Sequence, residues 1–216
     1  QVPRLGCMSQ DRRDALVALA RIHDFQLLHI ATPGAPRDCP GLRASAPERG
    51  WDLSGVAADL APAAPWAILA VPQGRGRRVQ ARAAATGLGL SGPSAACAEA
   101  ILADPETAGL QARMRARITA AAKQAAARLG PQTVWRAGVP WLWYPLPQCT
   151  DTIALCAALS AAGLQCSDTA ACAPPDTAPP SGLRIAVDAR DPEGHAAPAI
   201  GRLRDCLDQV GLAATA

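Results

Sequence analysis

Hydrophobic and polar positions recur at two periods along this chain of 216 residues, one of helices and one of strands. In "SQDRRDALVALARIH", Ser9 to His23, the residues Leu16, Leu19, Ala20 and His23 share one helical face, Ser9 can cap, and Asp11 sits in the first turn. "FQLLHIA" follows at once, an apolar run of strand length that reads as a buried strand. Helix then strand is half of an α/β repeat. Residues Pro33 to Gly50 are rich in Pro, Gly, Arg and Asp and read as a loop. "WDLSG" and "WAILAV" come next as strands, the second read as buried and ending at a proline, and the basic "QGRGRRVQAR" follows them.

Two helices are predicted over Gly92–Ala103 and Pro105–Leu129. In the second, Leu110, Met114, Ile118, Ala122, Ala125 and Leu129 recur at intervals of three and four, the stripe of a helix against a core. Arg113, Arg115, Arg117, Lys123 and Arg128 cover the remainder, which reads as a solvated face. Beyond it, "VPWLWYPLP" is a strand, and "DTIALCAALSAAG" is a helix with Asp151 as N-cap and Gly163 as the residue past its end. "LQCSD" and "GLRIAVD" are strands separated by the Pro-rich tract "CAPPDTAPPSG". A last helix carries Ile200, Leu203, Leu207 and Val210 on one stripe and stops at Gly211, with Pro198 either kinking it or marking its true start. The expected class is α/β, with no internal repeat.

Composition narrows the function classes. Fifty residues are alanine and seven are aromatic, so the core is expected to be built from small side chains with Leu, Ile and Val. A net charge of +3 is too modest to argue by itself for nucleic acid. No run of about 18 apolar residues indicates a membrane span, because Asp59, Pro62 and Pro65 break the nearest one. The eight cysteines form no CxxC pair, and His23, His29 and His195 stand apart from them, so no metal site is expected. Buried free thiols in a reducing, cytoplasmic compartment are the expectation. The chain starts at Gln1 with no charged segment and apolar core after it, which argues against a signal peptide and for a piece of a longer chain.

Taken in order, several short motifs resemble the second half of a fold-type I, pyridoxal-phosphate-dependent aminotransferase. They are most similar to the aminotransferase-like domain of MocR-type regulators in the GntR family. The family reads "HQxPTGxxMSxxRRxALLxLAxxHD" where this chain has "QVPRLGCMSQDRRDALVALARIHD". Further on, "RRMRxxYxxRR", "GLHxxLxLP" and "LRLxF" correspond to "ARMRARITAAAK", "AGVPWLWYPLP" and "GLRIAV". Each motif is weak alone, but their order holds over nearly all 216 residues. The resemblance implies a remnant of the large domain over residues 1–104, a connecting helix over 105–130 and a small C-terminal α/β domain over 131–216.

Setting "AADLAPAAPWAILAVP" under the family's "SKTLAPGLRLGYLVAP" puts Ala57 at the serine, Ala58 at the lysine, Asp59 at the threonine and Pro65 at the arginine. In the family that lysine forms the Schiff base with pyridoxal phosphate, and the arginine helps to bind the phosphate. Imine exchange needs an amine, and a phosphate dianion needs cationic or N–H partners; alanine and proline side chains supply neither. "LLHIATP" falls on the family's "IIEDDY", which places Ile30 at the aspartate pairing with the pyridinium nitrogen and Thr32 at the tyrosine near the ring oxygen. An isoleucine cannot stabilise a protonated ring nitrogen. Val2 falls near a position packing beside the ring. His29 is conceivable as a replacement acid, although a histidine ending a strand more often has a structural role. Arg184 matches the arginine that grips a substrate carboxylate, with pairing to Asp188 or a backbone carbonyl as the structural alternative.

The expectation is therefore a pseudoenzyme, the effector or dimerisation part of a MocR-like regulator with no catalytic lysine and no covalently bound pyridoxal phosphate. The only lysine, Lys123, lies in the basic helix. A working class I/II aminotransferase with a displaced lysine there is the second reading, and a decayed, functionless piece is the third. A homodimer and a small amino-acid-like ligand are the expected partners, with DNA reached only through a winged-helix domain outside these residues.

Overall fold

The computed structural model describes residues 8–31, 41–55, 66–148, 150–161, 164, 181–187 and 196–209. Val2, Thr32, Ala57, Ala58 and Pro65 lie outside them, as do Gly163, Asp188, Val210, Gly211 and nearly all of "LQCSD" and the Pro-rich tract. The chain forms two compact units, one of Gly6–Met114 and one that includes Arg115–Ala216.

In the first unit, helix α1 (Gln10–Ile22) starts after Ser9, which takes the extended N-cap backbone without a side-chain cap bond. Its buried residues are Arg13, Val17 and Ala20. The expected face was rotated from this one: Ala20 belongs to it, whereas Leu19 and His23 are exposed. Asp24 adopts a left-handed backbone (φ 53°) that turns the chain toward strand β1 (Leu27–Ala31). Aspartate tolerates that conformation better than most residues, and Arg49 Nη1 holds its carboxylate at 2.7 Å.

The presumed loop before Gly50 contains a short helix, α2 (Leu42–Ser45). It packs so closely on the start of β2 (Gly50–Gly55) that a Cβ at Gly50 would run into the Arg43 backbone. β1 and β2 pair in parallel, and β3 (Ala67–Ala70) adds antiparallel to β2, giving the order β1-β2-β3. Val17, Ala20, Leu27, Leu42 and Ala46 form the core between this sheet and the two helices.

Two expectations of buried strands fail. Leu28 and Ile30 in β1 are 57% and 58% exposed, and Leu69 in β3 is 41% exposed. Only one face of β1 is covered by a helical layer among the described residues, and β3 is an edge strand.

The basic segment after β3 is a helix, α3 (Gly76–Ala85), which buries none of its residues. α4 (Gly92–Ala103) is capped by Ser91, whose hydroxyl accepts from the Ser94 N–H. α5 (Glu106–Leu129) follows the predicted stripe closely: Ile118, Ala122, Ala125 and Leu129 are buried, while Leu110 is 40% exposed.

In the second unit, β4 (Trp141–Pro145) pairs antiparallel with β5 (Gly182–Ala186). α6 (Thr152–Ala161) and α7 (Ala196–Gln209) pack against the pair. Their core joins Leu142, Tyr144 and Leu183 of the strands with Leu155 and Leu159 of α6, Leu203 and Leu207 of α7, and the α5 stripe. Pro198 stands in the first turn of α7, where its missing N–H has no intrahelical partner to lose, so it marks the helix start. Among the described cysteines, Cys156 and Cys206 are half-buried against this core, but Cys97 is exposed, contrary to the expectation of buried thiols. No described helix is long and apolar enough to cross a membrane.

Candidate functional site

The parallel pair β1–β2 carries Ile30, the described residue to which the resemblance assigns cofactor chemistry, and its register sorts the side chains onto two faces. Leu27, His29 and Ala31 lie opposite Gly50, Asp52 and Ser54; Leu28 and Ile30 lie opposite Trp51 and Leu53. Side chains alternate across a strand, so each set occupies its own face. Leu69 pairs with Leu53 and extends the Ile30 face across β3.

That face is entirely apolar: Leu28, Ile30, Leu53, Leu69 and the half-buried Trp51, whose indole N–H donates to Gln26 Oε1 at 3.1 Å. A pyridinium nitrogen needs a carboxylate beside it to stay protonated. Asp52 is the only carboxylate in the three strands, and it stands on the opposite face.

Asp52 is also engaged there. His29 Nδ1 and Asp52 Oδ1 are 3.1 Å apart, with both side chains about a third exposed or less, at 32% and 28%. The Gly41 backbone closes over the same carboxylate so tightly that a Cβ would overlap it. His29 thus ties two parallel strands through a carboxylate, the structural role rather than that of a displaced acid.

In the second unit, Arg184 lies on the face of β5 opposite the core. It is in register with Trp143, and its guanidinium carbon sits 5.0 Å from the centroid of the Trp141 ring. Stacking on an aromatic face orients an arginine while leaving the edge of its fork open to a planar carboxylate. No described residue accepts a hydrogen bond from it. Asp188, one of the two structural partners considered from sequence, lies outside the described residues; the indole of Trp141 is a further partner, and the alternation of Trp141 and Trp143 in "WLWYP" was the available signal.

Lys123 projects from the exposed side of α5, away from the buried stripe of Ile118, Ala122, Ala125 and Ala126. The described residues contain no cluster of three or more His, Cys, Asp or Glu side chains able to hold a metal ion. The described residues do not fit pyridoxal phosphate: among them the Ile30 face offers the ring nitrogen no partner, and the sole lysine of the chain is exposed on a helix. The connection from β2 to β3, residues 56–66, contains neither lysine nor arginine.

No family model matches the chain, and no curated protein matches it in sequence. Solved structures do match in fold. A kynurenine aminotransferase from Pyrococcus horikoshii, solved with PMP, aligns over 94% of this chain and 52% of its own with a TM-score of 0.74 at 18% identity. A probable N-succinyldiaminopimelate aminotransferase from Thermus thermophilus aligns over 95% and 56%, with a TM-score of 0.69 at 18% identity. An alpha-aminoadipate aminotransferase from the same species aligns over 94% and 55%, with a TM-score of 0.69 at 16% identity. The fold is that of the fold-type I aminotransferases, and this chain spans about half the length of the structures it matches.

Proposed function

We propose that this chain is an aminotransferase-fold domain without imine chemistry, serving as the effector-binding and dimerisation part of a MocR-type regulator. One observation carries the reading. The segment joining β2 to β3, to which the resemblance assigns the Schiff-base lysine, has none, and the single lysine of the chain is exposed on α5. The apolar surroundings of Ile30 support it, since a cofactor held by a restored amine would still lack a carboxylate there to keep its ring nitrogen protonated. When bound in an aminotransferase, pyridoxal phosphate supplies an electron sink; nothing in the described residues of this chain holds its ring nitrogen.

What the domain keeps is a means of recognising a carboxylate. Arg184, braced on Trp141 and with no hydrogen-bond partner among the described residues, suits the α-carboxylate of a small amino-acid-like ligand. Binding without turnover is the property required of an effector domain. Dimerisation belongs to the same proposal and rests on the resemblance.

The test is incubation of the purified chain with pyridoxal phosphate, borohydride reduction and peptide mass mapping, alongside a thermal melt. No stoichiometric adduct and a cooperative melt are expected. An adduct on Lys123 would restore the working-aminotransferase reading, and the absence of a cooperative transition would leave a decayed piece. The variant Ala58→Lys is expected to show no turnover with an amino donor, because Ile30 and Pro65 stay unsuited to the cofactor.

A further inference from the structure

Among the described residues, helix α3 has no packing or pairing role that accounts for its charge. It buries no residue, yet Arg75 at its N-cap and Arg77, Arg78 and Arg82 within it are all exposed. Their backbones bond within the helix and its ends, as the Thr86 hydroxyl does to the Arg82 carbonyl, but no described residue forms a hydrogen bond or ion pair with any of the four guanidinium groups. Other arginines of the same unit are engaged: Arg21 with Glu48, Arg49 with Asp24, and Arg43 with the Val71 carbonyl. No Asp or Glu occurs between Asp59 and Glu99, so no acidic neighbour in sequence offsets the cluster.

The arginines are also ordered in space. Arg75 already has helical backbone (φ −94°, ψ −8°), so positions 75, 78 and 82 fall on one side of the helix. At about 1.5 Å of rise per residue they span roughly 10 Å. One strand of duplex DNA places a phosphate about every 3.4 Å along its axis, so the row covers about three phosphate steps. The residues flanking them on that side are Val79, Ala85 and Thr86, all shorter than the arginines, so the guanidinium groups are the parts of this side that reach furthest out. Guanidinium forks pair with phosphate oxygens at two points and are only weakly hydrated.

We infer that the Arg75–Arg78–Arg82 side of α3 is a contact surface for the phosphate backbone of duplex DNA, independent of base sequence. The inference goes beyond the effector-domain reading and does not rest on it. The resemblance assigns DNA to a separate winged-helix domain, and α3 adds a second contact on the aminotransferase-fold domain itself. An acidic membrane surface is the less favoured occupant, because Val79 is the largest apolar residue in α3. The exposed Leu88 and Leu90 follow only after the Gly87 turn.

The experiment is fluorescence anisotropy of a labelled 20-base-pair duplex titrated with the chain across a salt series. Each neutralised phosphate contributes about −0.9 to the slope of log K against log salt. Three contacts predict a slope near −2.7, or an affinity loss of about 40-fold between roughly 50 and 200 mM salt. The triple variant Arg75→Gln, Arg78→Gln, Arg82→Gln should lose binding and most of that slope while keeping its circular dichroism. The corresponding triple Arg→Lys variant, which keeps the charge, should retain binding within about threefold. Arg117→Gln with Lys123→Gln, which removes the same kind of charge from α5, should change affinity less than about twofold. Equal losses in the α3 and α5 variants would reduce the effect to net charge and overturn the assignment. So would binding to phosphatidylserine vesicles, lost in Leu88→Ser, without binding to the duplex.

Discussion

The Glu48 carboxylate lies 2.8 Å from Arg21 Nε, a bond that links α1 to the turn after α2. That hydrogen bond, then the bond to its own backbone, holds the Glu48 pKa below the ordinary carboxylate value. A depressed pKa stabilises the fold above the unfolded carboxylate range, and the contribution is lost as pH falls through the folded value. Arg21→Gln should therefore move the Glu48 titration upward, as read from its side-chain carbonyl resonance; an unmoved midpoint would mean that the pair does not form in solution. Both partners are about half exposed, so the effect on stability is expected to be small. At this scale the sequence disclosed residue types better than directions. That Ile30 cannot pair with a pyridinium nitrogen follows from its side chain alone. That it faces an open apolar surface, with Asp52 turned the other way, needed the parallel register of β1 and β2. The hold of Trp141 on Arg184 likewise depends on the pairing of two strands that are distant in sequence.

Helices were more legible than the burial of strands. Asp151 caps α6 as its position before an apolar periodic run implied, with Oδ1 accepting from the Ile153 and Ala154 N–H groups at 3.1 and 3.0 Å. Ser9 stands in an equally suitable place before α1, yet its side chain makes no cap bond. The two helices thus form a matched comparison. Asp151→Ala should cost about 1 kcal/mol of stability in chemical denaturation, whereas Ser9→Ala should change it by no more than about half of that; equal losses would show that Ser9 caps in solution. α3 went unread because its arginines and alanines give no apolar stripe, and a helix that buries nothing has no period to detect. β1 and β3 were read as buried because apolar runs report side-chain chemistry, while burial depends on whether a layer covers each face of the sheet.

Across the molecule, two separate cores support the two units: the small one around Val17, Ala20, Leu27, Leu42 and Ala46, and the larger one around Leu142, Leu155, Leu159, Leu183 and Leu207. The order of motifs made the aminotransferase fold legible at this scale, because it follows chain order and needs no single strong signature. What it could not disclose is how the open sheet face behaves, since about half of each matched structure has no counterpart here. Leu142 and Leu28 separate the cases. Leu142 is fully buried, so Leu142→Ala should cost about 2–5 kcal/mol and release the β4–β5 amides in hydrogen exchange. Leu28 is 57% exposed, so Leu28→Ala should cost less than about 0.5 kcal/mol and leave that protection unchanged. A cost at Leu28 approaching that at Leu142 would have a specific physical meaning. Removing an apolar side chain from water-facing surface leaves no cavity, so a penalty of that size requires that something cover the face in solution. Its dependence on protein concentration would then tell a second copy from a rearrangement within one chain, because only association obeys mass action.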